Sequence, residues 1–170
     1  MMLKAVIAVV LALPVWKQDV RGTPEKTEQL TAIATSVYRA ANGDPDVAAL
    51  TLALGQHESA YSIRITRGEC RGRECDPRRL RDGTIEYRAR GAWQLHRNGL
   101  SDAAWSALLG PDSIDAQATE AVRRVRSAFA TCRAQGTLGA IRAYAGNGCT
   151  KPLAGESARL ATFESIRRRL

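Results

Sequence analysis

A histidine, a glutamate and a serine stand together at residues 57–59, inside the segment GQHESAYS of residues 55–62. The preceding residues are mostly Ala, Leu, Val and Thr, a pattern typical of a buried helix. Three chemistries use such side chains: metal binding, nucleophilic attack by a serine, and proton transfer by a carboxylic acid. The residues around them decide between these chemistries.

The metal interpretation starts from His57 and Glu58, which begin an H-E-x-x-H pattern. That pattern needs a second histidine four residues after the first, and Tyr61 occupies this position. His96 is the other histidine of the chain, and no pair of cysteines has the C-x-x-C spacing. We therefore expect no metal. No phosphate-binding glycine loop is present either, and we expect no organic cofactor. Ser59 lies in no G-x-S-x-G turn, so nothing in its context indicates a nucleophile.

The acid interpretation follows from helical spacing. Leu50, Leu54 and Glu58 are four residues apart, so they share one face of a helix. If the leucines face the core, Glu58 lies at its edge, where burial and the negative end of the helix dipole raise the pKa of the carboxyl group. A glutamic acid protonated near neutral pH suits a general acid for glycosidic cleavage. The alternative is a helix that frays by residue 57 and leaves Glu58 solvated.

Helices separated by Gly and Pro are predicted to position this glutamate. One helix opens at Thr23-Pro24 and ends at Asn42-Gly43, and the next opens at Asp44-Pro45 and carries the acidic motif. An arginine-rich irregular insert with a small hairpin is predicted at about 62–90. Further helices are predicted at about 101–110, 112–136, 137–145 and 156–170. The fold class is therefore mainly α with a small irregular or β insert.

Composition restricts the partners. A chain of 170 residues suits one domain. Its net charge of +8 favours polyanionic partners, or simply a solvated basic surface. Aromatic residues make up only 5%, too few for a row of base-stacking side chains. Because the arginines are scattered and no nucleic-acid-binding motif is present, we do not expect nucleic acid as the partner.

The N-terminus and the cysteines bear on location. Lys4 precedes an apolar run that Pro14 ends, so residues 1–16 resemble a secretory signal. An uncleaved anchor and a buried N-terminal helix are the alternatives. Four cysteines allow three disulfide pairings, and short separations favour Cys70 with Cys75 and Cys132 with Cys149. In a cytosolic protein they would instead be free thiols.

Three segments carry a family resemblance. LALGQHESAYS resembles the end of the catalytic helix in the soluble lytic transglycosylase and goose-type lysozyme group of the lysozyme-like superfamily. GAWQL, at residues 91–95, is similar to the Gly-Leu-Met-Gln-Ile segment of that group, with Trp93 in place of an aliphatic residue. AYAGNG, at residues 143–148, is similar to its Ala-Tyr-Asn-Ala-Gly motif, with Ala145 in place of the Asn. The resemblance covers about residues 44–150.

The resemblance implies a lysozyme-like domain over residues 17–170 that cuts peptidoglycan between N-acetylmuramic acid and N-acetylglucosamine. Glu58 would act as acid and then as base, and Ser59 would position the glutamate or a substrate group. Gln94 would bind a sugar, Tyr144 would line the cleft, and the displaced Asn147 would also contact substrate. Transglycosylases of this group leave a 1,6-anhydro end and need no second carboxylate.

Two other functions stay open. One is a goose-type hydrolase, in which an acid positions a water molecule, with four candidates: Asp76, Asp82, Glu86 and Asp102. The other is a non-catalytic module that binds the cell wall or nucleic acid. We expect a monomer that is periplasmic or secreted and associates peripherally with wall or membrane. A phage lysis protein is the alternative setting.

Overall fold

The computed structural model describes residues 2–110 and 112–170. Met1, the first residue of the predicted N-terminal segment, therefore lies outside the described residues. The helices are α1 Met2–Ala12, α2 Pro24–Ala41, α3 Pro45–Ser59, α4 Ile63–Thr66, α5 Asp102–Ser106, α6 Ile114–Thr131, α7 Gly136–Tyr144 and α8 Glu156–Arg167. The strands are β1 Pro77–Arg79 and β2 Ile85–Tyr87. The mainly helical class with a small β insert is confirmed, and the lysozyme-like topology stays a prediction.

Side chains fix the helix ends where the sequence predicts them. The hydroxyl of Thr23 accepts a hydrogen bond from the Lys26 amide at 3.3 Å and caps α2. Asn42 ends α2 in the left-handed conformation, and the carboxylate of Asp44 then accepts the amide of Val47 at 3.1 Å. Such caps satisfy backbone groups that have no partner within the helix. The tight link at residues 42–44 thus joins α2 directly to α3.

Helix α3 is the centre of the core. Residues 47–55 are all buried, so the helix has little of the polar face that a surface helix shows. It packs against α2, α6 and α8, and α6 in turn packs against α7. Because neighbours surround α3, the position of its last turn is set by the whole bundle.

The N-terminal apolar segment forms α1, which packs on α2. Val6, Val9 and Val10 are buried in the same core as α3. None of the helices in the described residues is both long and apolar enough to cross a membrane. Cleavage of the segment stays a prediction.

The insert at 62–90 is an extended excursion with little core of its own. Its strands β1 and β2 pair antiparallel, with Pro77 opposite Tyr87. A disulfide joins Cys70 to Cys75, and a second joins Cys132 to Cys149. Both predicted pairings are confirmed, and the small hairpin is present with β2 at the predicted place.

A buried lysine at the start of α2 links Asp19 to the residues that follow α3. The Lys26 ammonium donates to Asp19 Oδ2 at 2.7 Å, to Gln29 Oε1 at 2.9 Å and to the carbonyl oxygen of Tyr61. Burial lowers the pKa of Lys26, and the Asp19 carboxylate opposes that shift. The backbone amide of Ile63 also donates to Asp19, at 3.1 Å. The lysine therefore joins the start of α2 and the nearby Asp19 to Tyr61, which is 35 residues further along the chain.

Replacing this lysine tests the arrangement. Lys26→Met leaves Asp19, whose side chain is 10% exposed, without its cation and leaves the Tyr61 carbonyl without that donor. We expect the free energy of unfolding, measured by urea denaturation, to fall by about 3 kcal/mol. The exposed Lys151→Met should change it by less than about 0.5 kcal/mol. Equal effects of the two substitutions would contradict the assignment.

Candidate active site

Glu58 lines a cleft of about 760 Å³. The three motif segments meet there: Trp93 and Gln94 from the GAWQL segment and Tyr144 from the AYAGNG segment line the same cleft as Glu58. Helix α6 forms another wall through Arg124 and its neighbours. A volume of this size lies within the usual range of small-molecule sites. The cleft is therefore the place where these predicted side chains can act together.

Glu58 occupies the last turn of a well-formed helix. Helix α3 runs to Ser59, and Ala60 ends it in the left-handed conformation. Leu50 and Leu54 are fully buried, whereas the Glu58 side chain is 25% exposed. Glu58 thus lies at the edge of the core, and the alternative of a helix frayed before this residue is wrong.

An arginine that sequence reasoning missed contacts this glutamate. Arg159 of α8 donates from Nη2 to Glu58 Oε1 at 3.1 Å, and its side chain is only 17% exposed. Its Nη1 donates to the Ala154 carbonyl at 3.1 Å. No pattern in the sequence predicts this ion pair, because 101 residues separate the partners. Helix α8 is therefore part of the candidate site as well as part of the core.

His57 also faces α8. Its Nε2 lies 2.9 Å from the hydroxyl of Thr162, and burial, helped by the positive charge of Arg159, lowers its pKa. His57 does not line the cleft. In the described part of the chain, no group of three or more His, Cys, Asp or Glu side chains is arranged to hold a metal ion.

Gly55 lets two aromatic rings approach the backbone of α3. Trp93 Nε1 donates to the Thr51 carbonyl at 2.8 Å, and the Tyr61 hydroxyl donates to the Leu52 carbonyl at 2.6 Å. The two rings meet edge to face, with centroids 6.2 Å apart. A Cβ atom on Gly55 would lie 2.6 Å from the Tyr61 ring and 2.8 Å from Trp93 Nε1. Trp93 is 1% exposed and anchors the GAWQL segment to α3.

Ser59 also joins α3 to the GAWQL segment. Its buried hydroxyl donates to the Ala92 carbonyl at 2.7 Å and accepts the Tyr61 amide at 3.0 Å. Ser59 does not line the cleft. Its contacts hold the backbone next to Glu58 against the GAWQL segment.

Gln94 lies on the cleft wall in a strained backbone conformation. Its φ is +47°, which non-glycine residues rarely adopt, and its Nε2 donates to the Gly91 carbonyl at 3.2 Å. Its Oε1 is buried and has no hydrogen-bond partner among the described residues. Strain of this kind is often found at functional sites. Gln94 thus has one unused acceptor beside the cleft.

Gln117 of α6 holds the GAWQL segment in place, and sequence reasoning did not single it out. It is fully buried, and its Oε1 accepts the Ala92 amide at 2.9 Å. Its Nε2 donates to the carbonyls of Thr66 at 2.7 Å and Leu108 at 3.1 Å. A Cβ on Gly91 would lie 2.3 Å from this side chain, so the glycine makes the close approach possible. The helical stripe of α6 gives no sign of a buried amide, because an isolated Gln is usually a surface residue.

Tyr144 and Asn147 have different positions. The Tyr144 hydroxyl donates to the Trp93 carbonyl at 3.2 Å, and burial, followed by the negative charge of Glu58, raises its pKa. The Asn147 amide donates to the Pro152 carbonyl at 3.2 Å and is not among the cleft-lining side chains. Asn147 therefore shapes the 145–155 loop, whereas Tyr144 touches the cleft.

Two covalent or ionic links hold that loop. The Cys132–Cys149 disulfide ties it to the end of α6. Arg142 forms a two-pronged ion pair with Glu156, with both N–O distances at 2.8 Å, and Glu156 also accepts the Leu153 amide at 2.9 Å. Because Leu153 lines the cleft, these links define its border.

One of the four acids considered for positioning water lines the cleft. Asp76 accepts from Arg88 at 3.0 Å and lies 3.8 Å from His96 Nδ1, and both Asp76 and His96 border the cleft. The others have different positions. Asp82 bonds to Thr84 in the hairpin turn, Asp102 pairs with Arg97, and Glu86 borders a separate depression beside Tyr87.

Comparisons with protein-family models, with curated proteins and with solved structures find no match to this chain. The family resemblance therefore depends on the three motifs alone. The structure adds that side chains from all three border one cleft.

The packing around Gly55 gives a prediction about stability. In an open helix, Gly→Ala stabilises by about 1 kcal/mol. At Gly55 the added methyl group collides with Tyr61 and Trp93, so we expect Gly55→Ala to destabilise by about 2 kcal/mol in denaturant unfolding. Unchanged or increased stability would show that the aromatic pair does not pack here as described.

The Arg142–Glu156 pair gives a pH dependence. The hydrogen bonds from Arg142, then that from the Leu153 amide, lower the pKa of Glu156 from 4.5 to about 2. A carboxyl with a lowered folded-state pKa stabilises above its unfolded pKa, and this contribution is lost as the pH falls towards 2. Glu156→Gln should therefore lower the melting temperature at about pH 6 and have little effect near pH 2. A difference between the two proteins that does not change with pH would contradict the assignment.

Proposed function

We propose that the protein is a lytic transglycosylase, which cuts peptidoglycan strands between N-acetylmuramic acid and N-acetylglucosamine and leaves 1,6-anhydro ends. The observation that carries the proposal is the part-buried carboxyl group of Glu58, fixed at the end of α3 and bordering a cleft with Gln94 and Tyr144. One acid held at the edge of a core is the arrangement that this reaction requires, because no second carboxylate takes part in it.

Glu58 takes part in two proton transfers in this reaction. Glu58 first donates its proton to the glycosidic oxygen as the bond to the anomeric carbon breaks. The resulting carboxylate then accepts the proton of the muramyl 6-hydroxyl, whose oxygen bonds to the anomeric carbon. Glu58 ends protonated, and no water is consumed. Gln94 lines the cleft beside Glu58, so its amide can hydrogen-bond a sugar there if its side chain reorients to expose Oε1.

A hydrolase is the second candidate, and the position of Asp76 favours it. Asp76 and His96 border the cleft together and could orient a water molecule towards the anomeric carbon. In that case the products carry reducing ends. The two reactions therefore differ in product and not in the acid that starts them.

The two disulfides and the net charge support a setting for this reaction. Disulfides persist mainly in oxidising compartments, which supports a periplasmic or secreted protein. The +8 charge favours adhesion to an anionic wall.

Product analysis tests the proposal. Purified peptidoglycan is incubated with wild-type protein or Glu58→Gln, and the released muropeptides are analysed by mass spectrometry. We expect anhydro-muropeptides from the wild type, and a rate at least about 100-fold lower for Glu58→Gln, because the variant has no proton to transfer.

A matched control removes a carboxylate elsewhere. Glu164 is exposed on α8 and outside the cleft, so Glu164→Gln should cleave at the wild-type rate. Equal rates for Glu58→Gln and wild type would refute the role of Glu58. Reducing ends in place of anhydro ends would establish the hydrolase. If none of the proteins cleaves peptidoglycan, the remaining interpretation is a non-catalytic binding module.

A further inference from the structure

The cleft is richer in positive than in negative charge. Among the side chains that the structure describes, two carboxylates border it, Glu58 and Asp76, and four guanidinium groups do so: Arg73, Arg123, Arg124 and Arg159. Glu120 lies behind this wall and pairs with both Arg123 and Arg124 at 2.7 Å, so its single charge is shared. The Arg123 side chain remains 60% exposed. A cleft of this charge attracts anionic ligands.

Arg159 is the cation in direct contact with the proposed acid. Two of its nitrogens are bonded, Nη2 to Glu58 and Nη1 to the Ala154 carbonyl. Its Nε is buried and has no hydrogen-bond partner among the described residues. The guanidinium group therefore retains donor capacity that the protein does not use, although it is largely removed from solvent.

The contact with Arg159 opposes the chemistry proposed for Glu58. A carboxylate that accepts a hydrogen bond from a guanidinium group serves as an acceptor, whereas glycosidic cleavage begins with a proton donor. Cleavage also develops positive charge at the anomeric carbon, and a neighbouring cation disfavours it. Both difficulties disappear if an anion from elsewhere binds Arg159 and neutralises it.

We infer that a carboxylate carried by the substrate binds Arg159 in place of Glu58. The cleft would then select glycans with anionic substituents and free Glu58 for proton transfer when such a substituent is bound. Arg159 is thus a positioning and specificity residue, and this inference rests on the proposed function. In peptidoglycan, carboxylates come from two sources, the lactyl group of the muramyl sugar and the stem peptide.

Three polymers separate these sources in a test. Intact peptidoglycan carries stem-peptide carboxylates, glycan strands stripped of their stems carry lactyl carboxylates, and the same strands with amidated carboxyl groups carry neither. Cleavage rates are measured for the wild type, Arg159→Gln, Arg159→Lys and Arg167→Gln. Arg167 is the matched control because it also joins α8 to α3, through Asp46 at 2.5 Å, but lies away from the cleft.

We expect the wild type to cleave at least one carboxylate-bearing polymer about tenfold or more faster than amidated strands, in line with one charge-assisted hydrogen bond. Arg159→Gln should bring this ratio close to one, Arg159→Lys should retain most of it, and Arg167→Gln should leave it unchanged. Because each protein serves as its own reference, partial loss of folded protein does not alter the ratio. A wild-type ratio near one, or an unchanged ratio in Arg159→Gln, would overturn the inference.

Binding measurements separate this inference from the proposed function. In Glu58→Gln the carboxylate that competes for Arg159 is absent. Carboxylate-bearing strands should therefore bind to this variant about tenfold more tightly than they bind to the wild type. Amidated strands should bind both proteins equally, and adding Arg159→Gln should abolish the gain. If no polymer is cleaved but this pattern holds, the enzyme proposal fails and the anion site stands. If cleavage occurs without this pattern, the anion site is refuted and the proposed function stands.

Discussion

The close contact between Gly55 and the rings of Tyr61 and Trp93 determines the geometry of the cleft. Both rings donate hydrogen bonds to carbonyl groups of α3, at Leu52 and Thr51, and only a residue without a side chain leaves room for them. Trp93 in turn fixes Gln94 beside it, and the Trp93 carbonyl accepts the hydroxyl of Tyr144. The relation of Glu58 to the other cleft residues thus depends on one glycine in the helix that carries it.

Interactions between residues near in sequence are sufficient to predict the helices, the disulfides and part of the candidate site. Capping at Thr23 and Asp44, the spacing of Leu50, Leu54 and Glu58, and the short separations of the cysteines all depend on residues near in sequence. Helix and cap energetics act at this range, so a single sequence reveals them. The order of three motifs along the chain then suggested which loops would meet.

Partners distant in sequence could not be predicted in this way. The bonds of Lys26 to the Tyr61 carbonyl, of Gln117 to the Ala92 amide and of Arg159 to Glu58 connect segments that only the tertiary fold brings together. In each case a polar residue that sequence statistics assign to the surface is wholly or largely buried, because its partner supplies the hydrogen bond that burial requires. Arg159 is one of several basic residues in and just after α8, and nothing in the local sequence distinguishes the one that contacts Glu58.

Two of the seven buried side-chain polar atoms that lack a hydrogen-bond partner among the described residues belong to side chains that line the cleft. Gln94 Oε1 and Arg159 Nε are buried without partners among the described residues, and Gln94 has a positive φ as well. A buried polar group without a hydrogen bond costs about 1–3 kcal/mol. The unused acceptor and donor at this cleft suit a ligand that offers both kinds of group, provided that the two side chains reorient towards it. A sugar with hydroxyl groups and a carboxylate substituent is such a ligand, so the local cost in stability and the inferred specificity have the same physical origin.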